Sequence, residues 1–125
     1  MKTAILLLGH GSNLEDANES LHGVARLIRT EKDYYIVEAA FLSLARPSIS
    51  EGIESCIGKG AKRIVVIPYF LYMGAHVKKD IPNEIDEAKK RYPGIDIILG
   101  NHLDVHRKLM EIVLERVEEK IGPGI

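Results

Sequence analysis

The sequence predicts an α/β domain spanning residues 1–125, in which a four-stranded parallel sheet carries helices on both faces. Two observations predict it. Four short apolar runs alternate with segments of helical periodicity, and the runs are nearly continuous in apolar residues, as in strands buried on both sides. Right-handed crossovers between such strands place helices on both faces of the sheet. The expected strand order is 2-1-3-4, a flavodoxin-like arrangement. The chain then departs in opposite directions from the first and third strands and leaves a crevice at their carboxyl ends, where ligands bind.

The elements follow in order. Strands are predicted at Thr3 to Leu8, Tyr34 to Ala40, Arg63 to Ile67 and Ile95 to Leu99, three of them rich in β-branched or aromatic residues. Leu14, Ala17, Leu21, Val24 and Ile28 mark the first helix, with Ser12 or Asn13 as its cap. The second follows Pro47, with Ser48 or Ser50 as cap, and ends near Gly58 and Gly60. Ile81, Ile85 and Ala88 mark the third; Val105, Leu109, Ile112, Val113 and Val117 mark the last. No repeat or linker divides the chain, and Gly122-Pro123-Gly124 reads as a frayed end.

Composition narrows the function classes. Seventeen Lys and Arg against eighteen Asp and Glu leave a net charge of −1, so nothing draws the chain as a whole to nucleic acid or an anionic membrane. The apolar run Ile5 to Leu8 is too short for a signal peptide core or a membrane span, which points to a cytoplasmic protein. The one cysteine, Cys56, falls on the apolar stripe of the second helix and reads as a buried thiol.

Chemistry concentrates at two strand ends. The first strand runs into Gly9-His10-Gly11-Ser12-Asn13, which presents an imidazole at the mouth of the sheet. The third runs into a connection of about a dozen residues, from Tyr69, Phe70, Leu71, Tyr72, Met73 and Gly74 to His76, Lys78 and Lys79. This stretch is apolar before His76 and cationic after it, a composition suited to a flat hydrophobic ligand with acidic edges. His76 is expected to face His10 across the crevice. Two neutral imidazoles can hold Co²⁺, Ni²⁺, Fe²⁺ or Zn²⁺ and leave coordination positions open. Glu38 reads either as a proton acceptor in the same mouth or as a surface carboxylate without a role. His102 and His106 have the spacing of two ligands on one helix face, but Leu103 stands where a zinc protease carries its glutamate, so solvated or capping roles are favoured. His22, on the polar side of the first helix, reads as exposed.

Leu8-Gly9-His10-Gly11-Ser12, Ala40-Phe41-Leu42 with Pro47-Ser48-Ile49, and Pro68-Tyr69-Phe70-Leu71 through His76-Val77-Lys78-Lys79-Asp80-Ile81-Pro82 together resemble the short archaeal sirohydrochlorin cobaltochelatases, a branch of the class II chelatases. Leu99-Gly100-Asn101-His102 adds a similar fourth-strand ending. The resemblance implies a chelatase-like domain that works as a homodimer and inserts Co²⁺ into sirohydrochlorin without ATP, on the route to cobalamin. The family's metal-binding histidines match His10 and His76, and its acidic position matches Glu38 less closely. Many relatives carry Glu after Phe-Leu, where this chain has Ser43. The histidine-rich tail of some relatives is missing from the sequence, so neither a metal-storage tail nor an iron-sulfur cluster is expected.

On this reading His10 and His76 take the incoming metal, while the tetrapyrrole lies over Tyr69, Phe70, Leu71 and Met73 beside Gly74. Its carboxylates meet Lys78, Lys79, Arg46 and the amides of Gly11 and Ser12 at a helix N-terminus. A histidine released from the metal, or Glu38, accepts a pyrrole proton. Nickel insertion toward coenzyme F430 is an alternative, as is non-enzymatic metal delivery through the same pair. A strand ending in His-Gly is also similar to the loop of histidine phosphatases, but Gly9 stands where those carry the arginine that phosphate needs.

Overall fold

A computed structural model of the chain describes residues 1–123; Gly124 and Ile125 lie outside the described residues, and with them part of the predicted frayed end. The elements alternate as β1 (Thr3–Gly9), α1 (Glu15–Glu31), β2 (Ile36–Phe41), α2 (Ile49–Gly58), β3 (Arg63–Pro68), α3 (Ala75–Arg91), β4 (Asp96–Leu99) and α4 (Arg107–Ile121). The four strands form one parallel sheet in the expected order β2-β1-β3-β4.

Side chains alternate across the sheet, and so build two apolar clusters. On one face Leu6, Leu8, Ala40, Ile64 and Val66 meet Ile49 and Ile53 of α2 and Ile81 and Ile85 of α3. On the other, Leu7, Val37, Ala39 and Phe41 meet Leu21 and Ala25 of α1. Helix α2 lies so close to the sheet that a Cβ at Gly52 would come within 2.9 Å of both Ala40 and Leu6. Its N-terminus is held by Ser48, whose hydroxyl accepts from the Glu51 amide while the Glu51 carboxylate accepts from the Ser48 amide.

Three boundaries differ from the sequence reading. Helix α1 begins at Glu15 with Leu14 as its capping position, and the Ser12 hydroxyl accepts from the Leu14 amide at 3.0 Å instead of capping the helix. Leu14 is exposed, off the apolar stripe. The connection after β3 is half the expected length, because α3 begins at Ala75 and takes in His76, Val77, Lys78 and Lys79. Pro82 inside α3 conceals this in the sequence, since a proline there removes an internal hydrogen bond.

The last helix departs most. Val105 is 95% exposed and outside α4, and His106 caps the helix, its Nδ1 accepting from the Lys108 amide at 3.1 Å. His102 and His106 therefore do not share a helix face. The amphipathic spacing of α4 holds, yet none of its side chains is buried.

Candidate functional site

The open end of the sheet is shaped by β1 and its neighbours. The loop after Gly9 is fastened to the end of β2: the Gly9 carbonyl accepts from Leu42 at 3.0 Å and the His10 carbonyl from Ser43 at 3.1 Å. Gly11 makes this approach possible. Its φ is +92°, and a Cβ there would lie 1.7 Å from the Ser43 carbonyl oxygen. Asn18 braces the loop from α1, its Oδ1 accepting from the Ser12 amide at 2.9 Å and its Nδ2 donating to the Ser12 carbonyl at 2.8 Å.

Held in this way, His10 projects at the end of β1 as an exposed residue, its ring centroid 4.7 Å from that of Phe70. A cavity of about 360 Å³ opens here, with His10, Gly11, Ser12, Phe41, Tyr69 and Phe70 in its walls. His76 stands in the first turn of α3, just beyond the end of β3, with its side chain 90% exposed. Its Nε2 lies 2.9 Å from Oδ2 of Asp80, one turn along the helix. Since β1 and β3 are adjacent parallel strands, both histidines belong to the same carboxyl edge of the sheet. Among the described residues no group of three or more His, Cys, Asp or Glu side chains is placed to hold a metal.

The apolar loop divides its tasks. Tyr69 and Leu71 are exposed at the rim, whereas Phe70 is 8% exposed and Met73 packs against the core, so these two support the rim from below. Gly74 occupies the capping position of α3 with open space around it. Lys78 and Lys79 are exposed in the next turn, where their charge adds to the positive end of the helix dipole.

Three residues placed in this mouth from sequence lie elsewhere or are engaged. Glu38 pairs across the sheet with Leu6, three residues short of the Gly9 to Phe41 pair that closes the β1–β2 ladder. Its carboxylate accepts from Ser55 at 2.8 Å and faces Lys59 Nζ at 2.5 Å, at the end of α2. Burial acts to raise its pKa, but the hydrogen bonds from Lys59 and Ser55, with the charges of Lys59 and Arg29, outweigh burial and hold it below the ordinary range. The sequence shows that Glu38 precedes the strand end but not that α2 supplies its partners.

Arg46 is corrected too. It forms a two-point ion pair with Glu51, which drives the Glu51 carboxyl down to about 2 and raises the guanidinium's own value. It lines an adjoining polar cavity of about 570 Å³ with Glu15, Asp16, Glu19 and His22, which meets the His10 cavity at Ser12 and Asn18. The Ser12 amide, engaged by Asn18, is not aimed at a ligand, and the acidic first turn of α1 disfavours an anion there. His22 is half-buried and meets Phe41 edge-on, with ring centroids 5.5 Å apart.

The residues missed from sequence are Asp80, Asn18 and Leu103. The four-residue interval from His76 to Asp80 is a readable signal once the segment is known to be helical. Leu103, whose amide donates to the Phe70 carbonyl at 3.0 Å, carries no such signal.

Fold and site together define a flavodoxin-like α/β domain presenting two solvent-facing imidazoles, a side-chain type that suits late first-row metals, at the open end of its sheet. The CbiX family model matches residues 4–120. The chain belongs to the CbiX family. It is 37% identical over 117 residues to a sirohydrochlorin cobaltochelatase of Priestia megaterium, covering 94% of this chain and 38% of that protein. It is 33% identical over 115 residues to a sirohydrochlorin cobaltochelatase of Sulfurisphaera tokodaii, covering 92% and 91%. The sirohydrochlorin chelatase SirB of Bacillus subtilis subspecies spizizenii, solved in complex with cobalt, superposes with a TM-score of 0.86 at 35% identity, over 96% of this chain and 51% of that one. SirB from Bacillus subtilis with Fe³⁺ gives a TM-score of 0.86 at 34% identity, over 99% and 49%. The chain thus spans about half the length, or less, of several relatives it matches.

Proposed function

We propose that this chain is a sirohydrochlorin cobaltochelatase: one chelatase domain over residues 1–125 that inserts Co²⁺ into sirohydrochlorin without ATP, in cobalamin biosynthesis. The observation that carries this reading is the pair of exposed imidazoles at one edge of the sheet, in a chain whose relatives are named for this reaction. Metal is substrate here. His10 and His76 receive it, and two protein ligands leave the remaining coordination positions for the pyrrole nitrogens.

The macrocycle rests over Tyr69 and Leu71, with its carboxylates toward Lys78 and Lys79. Two pyrrole protons leave as the metal-nitrogen bonds form; a histidine released from the metal is the acceptor at hand, since Glu38 is tied to Lys59 away from the mouth. Holding ring and metal face to face supplies the remaining acceleration by proximity. The protein acts in the cytoplasm as a homodimer; among the described residues no helix is long and apolar enough to cross a membrane.

Iron is the second reading for the metal, favoured by the likeness to SirB with Fe³⁺. Nickel suits the same imidazoles. The test is an anaerobic mixture of protein, sirohydrochlorin and Co²⁺, Ni²⁺ or Fe²⁺, followed through the tetrapyrrole spectrum beside a protein-free control. Accelerated insertion with cobalt fastest is expected. A rate equal to the control for all three metals would leave metal delivery without catalysis.

A further inference from the structure

The segment after β2 presents an exposed leucine in a backbone conformation that leucines avoid. Leu44 has φ at +62°, in the left-handed region that a bulky side chain rarely adopts, and it is 65% exposed. Its neighbours Leu42 and Ala45 pack against the two apolar clusters, one on each face of the sheet, whereas Leu44 joins neither. It borders the polar cavity of Glu15, Asp16, Glu19 and His22 instead. Neither burial nor backbone preference accounts for a leucine at this position.

The fold nevertheless fixes it from both sides. Before it, the Ser43 amide donates to the His10 carbonyl at 3.1 Å, and the β1 loop approaches the Ser43 carbonyl so closely at Gly11 that no side chain fits between them. After it, Arg46 is paired with Glu51, and the Pro47 carbonyl accepts from the Phe41 amide at 2.9 Å. Strained residues held in this way gather at ligand clamps, where a side chain must be presented rather than packed.

Its place in the fold fits such a clamp. Strand β1 lies between β2 and β3, so the segments leaving those two strands flank His10 on opposite sides, about 10 Å apart at the ordinary strand spacing. Tyr69 and Leu71 stand exposed on the β3 side and Leu44 on the β2 side. A flat macrocycle centred over His10 is wide enough to rest on both.

We infer that Leu44 is a substrate-binding residue, the second apolar support of the tetrapyrrole, opposite Tyr69 and Leu71 across His10. This rests on the chelatase reading proposed above and names the residue that carries the far side of the ring. Leu44 also helps to set the direction in which the ring lies. Beyond it, Glu15, Asp16 and Glu19 repel the ring's carboxylates, which leaves Lys78 and Lys79 as their partners on the other side.

The test separates ring binding from metal binding in the full chain. Metal-free sirohydrochlorin is titrated anaerobically into the unaltered protein, Leu44→Asn and Leu44→Met, followed by absorbance, beside calorimetric titration with Co²⁺ and a thermal midpoint for each. Asparagine accepts left-handed backbone but offers no apolar contact. Leu44→Asn is therefore expected to bind sirohydrochlorin roughly tenfold more weakly, the loss of one partly buried leucine side chain, with its Co²⁺ affinity and midpoint no lower than those of the unaltered protein. Leu44→Met should restore most of the ring affinity. Equal sirohydrochlorin binding by the unaltered protein and Leu44→Asn would overturn the inference alone. So would a parallel loss of Co²⁺ affinity or midpoint, which would make Leu44 a support for the His10 loop, and so would failure of methionine to restore binding. An unaltered protein that binds Co²⁺ but no sirohydrochlorin would overturn the chelatase reading and the inference together.

Discussion

His76 Nε2 and Asp80 Oδ2 stand 2.9 Å apart on successive turns of α3, so the exposed histidine after β3 has a carboxylate beside it on its own helix. A carboxylate in contact with a ligating imidazole orients the ring and raises its basicity. Asp80→Asn is expected to weaken Co²⁺ binding about ten- to a hundredfold, whereas His76→Ala or His10→Ala should abolish insertion while the protein stays folded, because neither side chain is buried. Calorimetric titration with Co²⁺, read beside circular dichroism, checks all three; unaltered affinity in the histidine variants would remove them from the site.

Phe70 supports His10 from below and is nearly buried. Phe70→Ala should cost about 3–4 kcal/mol of stability, the range for deleting a buried ring. Its chelation rate should also fall at temperatures where it remains folded, because the imidazole loses the surface it rests on. Urea unfolding and turnover measured on one preparation would reveal whether the two losses occur together.

Gly11 tolerates no side chain in its present backbone. With φ at +92° and the Ser43 carbonyl 1.7 Å from any Cβ, Gly11→Ala must displace either the β1 loop or the segment after β2. Destabilisation of about 2 kcal/mol or more is expected, with loss of activity through His10. A thermal midpoint equal to that of the unaltered protein would contradict the close approach.

Glu38 predicts a pH dependence of stability rather than of catalysis. Its folded pKa lies below the ordinary 4.5 because Lys59 and Ser55 outweigh burial. The contribution is therefore present above that ordinary value and is lost as pH falls through the depressed one. Glu38→Gln should flatten the acid side of the stability curve and leave insertion near neutral pH unchanged. A variant that folds normally yet loses chelation would return Glu38 to the mechanism.

Cys56 is buried at the core of the α2 face, and burial, with the nearby Glu38 charge, pushes its thiol up to about 12. At pH 8 the thiolate is on the order of one part in ten thousand, so the folded protein should resist thiol reagents until denaturant is added. Rapid labelling of the native chain would show that α2 opens readily.

What the sequence determined by itself was the layered fold and the place of two histidines at one edge of it. Continuous apolar strands have to be covered on both sides, which calls for crossovers on both faces; the expected order 2-1-3-4, with its crevice beyond β1 and β3, is the one observed. His10 was legible because Gly9 and Gly11 punctuate a strand end. His76 was legible in position but not in setting, since Pro82 disguised the helix it begins.

Tertiary structure alone settled which polar groups are already satisfied. Arg46 and Glu38 are charged residues near strand ends in sequence, but Glu51 and Lys59 reach them through the folded α2 region and withdraw them from the mouth. Likewise the periodicity of α4 announces an apolar stripe without saying what covers it. Side-chain spacing along one element records that a partner is needed; which partner depends on where the chain turns, and here α4 follows β4 with none of its side chains buried.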